Sequence, residues 1–287
     1  MNKQVPLAAY HFDAAVVAEA TSSTHDLPLG ASRVNVHTAA GVYSAITWLP
    51  SSVFGGCPDK VATGHVYACD VSLPSCEPQL LLTRLEPHFH GSALAYVSTT
   101  ACPIDGEVNA IRNLVSGLES KELRAFVESV FEDIEVFQWF WTCPASLANH
   151  HARAGGLAQH SRDVAERAAR AVSDQPMQRD FAICYGLLHD YGKIWSYEKG
   201  RLTDAAQRLG HEQIGYEKLL PALLRLRDGW QDGGLVMQSL LSGQWKRDGK
   251  APIQAVGNIV RSMDQFSAET DMAGGKAISR SWRPAFV

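Results

Sequence analysis

The apolar pattern of this 287-residue chain changes period near Gly106, and that change limits what the chain can fold into. From Arg33 to Leu85 the runs VNVHTAAGVYSAITWL, VATGHVYACDVSL and PQLLLTRLEP are rich in β-branched and aromatic residues and are separated by Gly and Pro turns. Short strands with such turns predict a small β-barrel. After Gly106 the period is helical. In GLESKELRAFVESVFEDIEVFQWFW, apolar side chains recur at Leu118, Leu123, Phe126, Val127, Val130, Phe131 and Ile134 with acidic residues between them. The remainder reads as helices joined by Gly or Pro. The expected organisation is an N-terminal arm over residues 1–30, a β-barrel over 31–105 and an all-α domain over 106–287.

Within the helical part, the apolar run FAICYGLL ends in His189-Asp190 and continues as Tyr191-Gly192-Lys193. A helix carrying Phe181, Ile183, Leu187 and Leu188 packs into a core, so the pair lies at the core's edge. A carboxylate there costs several kcal/mol in lost hydration unless a cation or donor meets it. His160 shares a helical face with Leu157, Val164 and Ala168, and Asp264 follows Ile253, Val256 and Val260 on another. Two His and two Asp on three inward-facing helical stripes form a candidate metal site. Imidazole nitrogen with carboxylate oxygen suits Mn²⁺, Fe²⁺, Zn²⁺ or Mg²⁺.

At these residues the chain resembles the HD-domain metal-dependent phosphohydrolases, in which a His, a later His-Asp pair and a distant Asp bind metal on an all-helical core. The carry-over gives His160, His189, Asp190 and Asp264 as ligands. His160 precedes His189 by 29 residues and Asp264 follows Asp190 by 74, which leaves room for the intervening helices. The segment PASLANHHARAGGLAQH and the preceding strand-rich region are similar to the 3′-to-5′ exoribonucleases that join an OB fold to an HD domain; HD-type conjugative relaxases carry a similar run. The resemblance implies His211, in LGHEQIGYEKLLP, as a further metal residue. It also implies two histidines before the last helix, where this chain has Gly243 and Gln244 in SLLSGQWKRDGKAP. About one tightly held ion per chain is therefore expected.

Asp190, Lys193 and His151 are the candidate catalytic residues. Lys193 and Arg153 are candidates to meet a substrate phosphate. Tyr43 and Trp48, as stacking aromatics, and Arg84 are the candidate substrate contacts of the barrel. The expected substrate is single-stranded RNA or DNA cleaved from its 3′ end. The alternatives are a small nucleotide, and a relaxase-like nucleic-acid-binding protein whose metal is structural.

A net charge of −4 and a pI near 6.2 argue against a sequence-independent polyanion binder. Cys57, Cys69, Cys76, Cys102, Cys143 and Cys184 contain no Cys-x-x-Cys pair, and MNKQVPLAAYHFDAAVV lacks the apolar core of a signal peptide. Reduced thiols, a cytoplasmic location and no membrane span are expected, with homo-oligomerisation left open.

Overall fold

The computed structural model describes residues 9–18, 27, 29–50, 53, 60–71, 79–87, 92–248 and 251–273. Cys57 and Cys76 lie outside them. The chain divides into two compact units. The first comprises residues up to Thr99 with Phe131–Phe137, and the second Thr100–Val130 with the chain from Gln138. A single cut does not separate them. Phe131–Phe137 leaves the helical periodicity that the sequence suggests, because Val61 donates its N–H to the carbonyl of Glu132 at 2.8 Å and Asp133 bridges to Lys60.

The first unit is a closed five-stranded barrel of order β1-β2-β3-β5-β4, built from β1 (Ala9–Ala18), β2 (Ser32–Thr38), β3 (Gly41–Thr47), β4 (Ala62–Val71) and β5 (Gln79–Pro87). A tight turn closed by Thr38 Oγ1 and the Gly41 N–H joins β2 to β3. The parallel pairing of β3 with β5, at Ala45 opposite Leu80, closes the cylinder and removes exposed edges. Inward positions are small or branched: Ala14, Val16, Val34, Val36, Ala45, Ala62, Val66, Ala68, Leu82 and Leu85 fill the core. Alternation is cleanest in β4, where Ala62, Gly64, Val66 and Ala68 face in and their neighbours face out.

Two expectations need correction. Ala9–Ala18 is a barrel strand pairing with both β2 and β4, not part of an arm. Its run Ala14-Ala15-Val16-Val17 is buried on both faces, which hides the period of two that identifies a strand. The C-terminal unit is also not purely helical. A hairpin of β6 (Tyr197–Glu198) and β7 (Arg201–Leu202) turns at Lys199 and Gly200, both at positive φ.

The second unit contains α1 (Glu107–Ser116), α2 (Lys121–Val130), α4 (Gly156–Ala171), α5 (Pro176–Leu188), α6 (Asp204–Gly229), α7 (Gln231–Leu241), α8 (Trp245–Asp248) and α9 (Ala251–Ala273); α3 (Ile134–Trp139) spans the transition between units. Helix α5 is apolar on nearly all sides, since Phe181, Ala182, Ile183, Cys184, Leu187 and Leu188 are all buried. Such a helix belongs in the middle of a bundle, and α4, α9, α2 and α7 surround it. Helices α4, α5 and α9 pack against one another, so side chains projecting from their shared faces meet.

The bundle holds two buried carboxylates away from the metal candidates. Asp180 accepts the N–H groups of Glu119 and Ser120, both at 2.8 Å, at the start of α2. Glu107 takes a forked pair from Arg162, at 2.8 and 3.0 Å. Arg162→Ala would leave the Glu107 charge buried without its guanidinium and should cost about 3–5 kcal/mol. Denaturant unfolding followed by helical circular dichroism measures this. A loss below about 1 kcal/mol would show that the pair contributes little.

Candidate metal centre

His160 stands in the second turn of α4 and is fully buried. His189 ends α5 as its C-terminal cap, and Asp190 begins the 3₁₀ turn Tyr191–Trp195 that follows. Asp264 comes from the middle of α9. One ligand atom from each of these four residues lies within 4.8 Å of all the others. His160 Nε2 is 3.0 Å from Asp264 Oδ1 and 3.4 Å from Asp190 Oδ2. His189 Nε2 is 3.6 Å from Asp264 Oδ1 and 3.5 Å from Asp190 Oδ2. Ligands bound about 2.0–2.2 Å from one ion stand roughly 2.8–3.6 Å apart at tetrahedral or adjacent octahedral corners.

The hydrogen bonding of the two imidazoles fits the same reading. His189 Nδ1 donates to the Gly186 carbonyl at 2.8 Å, and His160 Nδ1 meets Ser267 Oγ at 3.2 Å. With Nδ1 engaged, the Nε2 lone pair turns to the cluster, which is how metal-bound histidines are held. Both Nε2 atoms are buried and neither makes a hydrogen bond of good geometry. The carboxylates are close enough for Coulombic attraction, but the atoms surround a point rather than pair off. A divalent cation there would satisfy all four.

Asp190 is buried, and its charge is kept by neighbours. Burial alone would raise its pKa. The Lys193 ammonium, the histidines and the hydrogen bonds from His160 and His211 outweigh that and hold it well below the usual carboxylate range. Lys193 is itself buried and forms its ion pair with Asp190 Oδ2, so its ammonium points at the ligand. His211 Nε2 reaches the other oxygen, Oδ1, at 3.0 Å. His211 is therefore beside the centre but outside the four-residue group.

The remaining candidates occupy distinct places. His151 is buried, its ring touching Gln159 Oε1 and Ser267 Oγ, both at 3.2 Å, and its backbone N–H is held by Asp271. Burial, followed by the positive field of His160, pushes its pKa down to about 4 against an opposing Asp271, so it is a neutral hydrogen-bonding residue behind His160. Its neighbour His150 is also lowered, by burial first and by Lys193 next. Arg153 pairs with Asp271 at 3.1 Å and with Gln159. On the barrel, Tyr43 and Trp48 are half exposed, and the Trp48 indole N–H donates to the Leu29 carbonyl at 3.2 Å. Arg84 lies over the Tyr67 ring at 5.0 Å and pairs with Glu86.

Ser267, Asp271, Lys246, Arg261 and Glu212 were not among the expected site residues. Ser267 was findable, since it follows Asp264 by three residues on the same helical face. Asp271, four residues further on, continues that stripe.

Without an ion, burial lowers the pKa of His160, but the hydrogen bonds and charges of Asp190 and Asp264 prevail and lift it to about 9. Asp264 is correspondingly lowered, its burial outweighed by His160 and His189. In the metal-free protein the protonated His160 thus contributes stability that is complete below pH 6.5 and disappears as pH rises through about 9. A metal needs the neutral imidazole. Its binding at pH 7.5 should therefore release about one proton, and affinity should rise with pH across that window. Calorimetric titration with Mn²⁺ in two buffers of different ionisation enthalpy counts the protons; a result near zero would contradict the assigned protonation.

Residues 157–269 match the family model described as HD domain. No curated protein and no solved structure matches the chain. The matched segment runs from the start of α4 into α9 and encloses all four candidate ligands. The match is confined to this segment, which is similar to the HD domains of metal-dependent phosphohydrolases and contains a His/Asp cluster that could hold a divalent ion. No helix among the described residues is long and apolar enough to cross a membrane.

Proposed function

We propose that this protein is a metal-dependent phosphodiesterase that degrades single-stranded RNA or DNA from the 3′ end. The observation that carries the hydrolytic part is the convergence of the buried His160 and His189 Nε2 atoms with the Asp190 and Asp264 carboxylates. A bound divalent ion supplies Lewis-acid polarisation of a phosphoryl oxygen and lowers the pKa of water. The protein's own residues do the positioning. Lys193 keeps Asp190 ionised while leaving the ligands to face inward, and His211 fixes the second oxygen of Asp190. Gly186 and Ser267 hold the two rings in register.

An open side favours catalysis over a structural ion, because structural sites are closed by protein ligands. His160 and Asp190 are buried, whereas the Asp264 side chain is 40% exposed and, with His189, borders a pocket. The polynucleotide part rests on the barrel. Its five strands and their order suit an OB-type module, a fold that binds oligonucleotides across one face. The barrel has a cavity of about 870 Å³ lined from all five strands, where Tyr10, Phe12, Arg33 and Tyr43 stand beside the acidic Asp13 and Asp70. Exposed Tyr43 offers a stacking surface worth about 1–3 kcal/mol per base.

The test is hydrolysis of end-labelled single-stranded RNA and DNA with Mn²⁺, alongside metal analysis of protein purified without added metal. About one ion per chain and a ladder shortening from the 3′ end are expected. Cleavage of mononucleotides alone would move the reading to a nucleotide phosphohydrolase. Metal without turnover on any of these substrates would leave a binding protein.

A further inference from the structure

The pocket bordering the metal centre carries charges that the ion-binding residues do not use. Besides His189 and Asp264 it is lined by Tyr185, Glu212, Trp245, Lys246, Val260 and Arg261, and its volume is about 180 Å³. Lys246 and Arg261 are exposed and make no ion pair among the described residues. They come from different elements, α8 and α9, so two cations converge on one opening. Gly243, at a φ of 72°, turns the chain beside them and lines the same pocket. Opposing them, Glu212 is the one acidic side chain of the lining besides the ligand Asp264.

Two cations without an ion pair among the described residues, one of them 5.9 Å from the Trp245 ring centre, next to a cluster that could hold a third suit an anion, and an anion with several oxygens can take a forked guanidinium and an ammonium together. The volume narrows the choice. Pockets that envelop a drug-sized ligand run to about 300–1,000 Å³, so this one admits a phosphate group and not a nucleoside. We infer that Lys246 and Arg261 form an anion subsite that grips a phosphate group of the substrate beside the metal centre, while the nucleobase stays outside and is not read there. The inference deepens the phosphohydrolase reading and rests on it for the identity of the substrate. The phosphate contacts themselves are separately measurable.

Inorganic phosphate is the probe, titrated calorimetrically into Mn²⁺-loaded full-length protein. Wild type should bind it, and Lys246→Ala/Arg261→Ala should bind at least tenfold more weakly with unchanged metal content and circular dichroism. Both side chains are on the surface, so folding is not at issue. Glu212→Gln removes the opposing charge and should tighten binding severalfold. Equal affinity in wild type and the double variant, or no binding to wild type at millimolar phosphate, would overturn the subsite. Phosphate binding that depends on the two cations, in a protein that hydrolyses nothing, would keep the subsite and sink the hydrolase reading. Turnover unaffected by the double substitution would do the reverse.

Discussion

Asp190→Ala is expected to yield protein without tightly held metal and with phosphodiesterase turnover lowered by roughly 10³-fold or more, the equivalent of several kcal/mol of Lewis-acid stabilisation. Asp190 is the residue through which the centre is assembled. Its Oδ2 faces His160, His189 and the Lys193 ammonium, and its Oδ1 faces His211. Removing it leaves three ligands and places an uncompensated ammonium in the core. The second effect would cost about 3–5 kcal/mol by itself and could imitate loss of function by unfolding. Asp190→Ala/Lys193→Met separates the two: it removes both charges at similar apolar volume, so stability should recover while metal and turnover stay lost. Metal analysis and thermal unfolding on the two variants decide it. An Asp190→Ala protein that retains about one ion per chain, or turnover within tenfold of wild type, would show that Asp190 is not a ligand.

The convergence of the four residues was legible in the sequence because His160 and Asp264 sit on apolar helical stripes and His189-Asp190 ends an apolar run. Leu157, Val164 and Ala168 orient His160; Val256 and Val260 orient Asp264; and an unbroken apolar run ends at His189. Helical period carries direction, so four polar residues on buried faces had to point at one another or at something else. The barrel was legible from β2 through β5 by a different signal, β-branched and aromatic runs separated by Gly and Pro turns. What failed was β1, since the Ala14–Val17 run is buried on both sides and shows no alternation. The break after Val130 was also hidden, because Phe131 and Phe137 continue an apolar helical pattern while belonging to the barrel unit. Lys193 illustrates a different limit. The sequence suggested a cation for a substrate phosphate, whereas the buried turn after α5 turns the ammonium onto Asp190. The charges at Lys246 and Arg261 were invisible in principle, because neither is on an apolar stripe and nothing in one sequence joins α8 to α9.

Gly192 gives the second large effect. Gly192→Ala should destabilise the helical unit by about 4 kcal/mol or more, at the exceptional end for a single substitution, and weaken metal binding with it. A methyl group at this position would stand 1.9 Å from the His211 carbonyl oxygen and 2.5 Å from the Gly215 backbone nitrogen. Neither is a side chain that can rotate away. The turn after Asp190 and the backbone of α6 touch directly here, and Gly215 reciprocates, its own missing side chain falling 2.9 Å from the Gly192 nitrogen. The contact follows a kink at Gly210, where φ is 79° and the helix restarts with His211. The close approach of two glycines is therefore what brings His211 within 3.0 Å of Asp190. It also explains physically why a glycine stands two residues after the His-Asp pair: the turn that follows the pair must lie flush against α6. To accommodate a methyl the two segments must separate by an ångström or more, which opens the packing and withdraws His211 from Asp190. Gly215→Ala should repeat the effect more weakly, its nearest contacts being 2.9 and 3.2 Å. Unfolding midpoints and Mn²⁺ affinity of the two variants test the ranking. A Gly192→Ala protein with wild-type stability would mean that the turn and α6 are not in backbone contact.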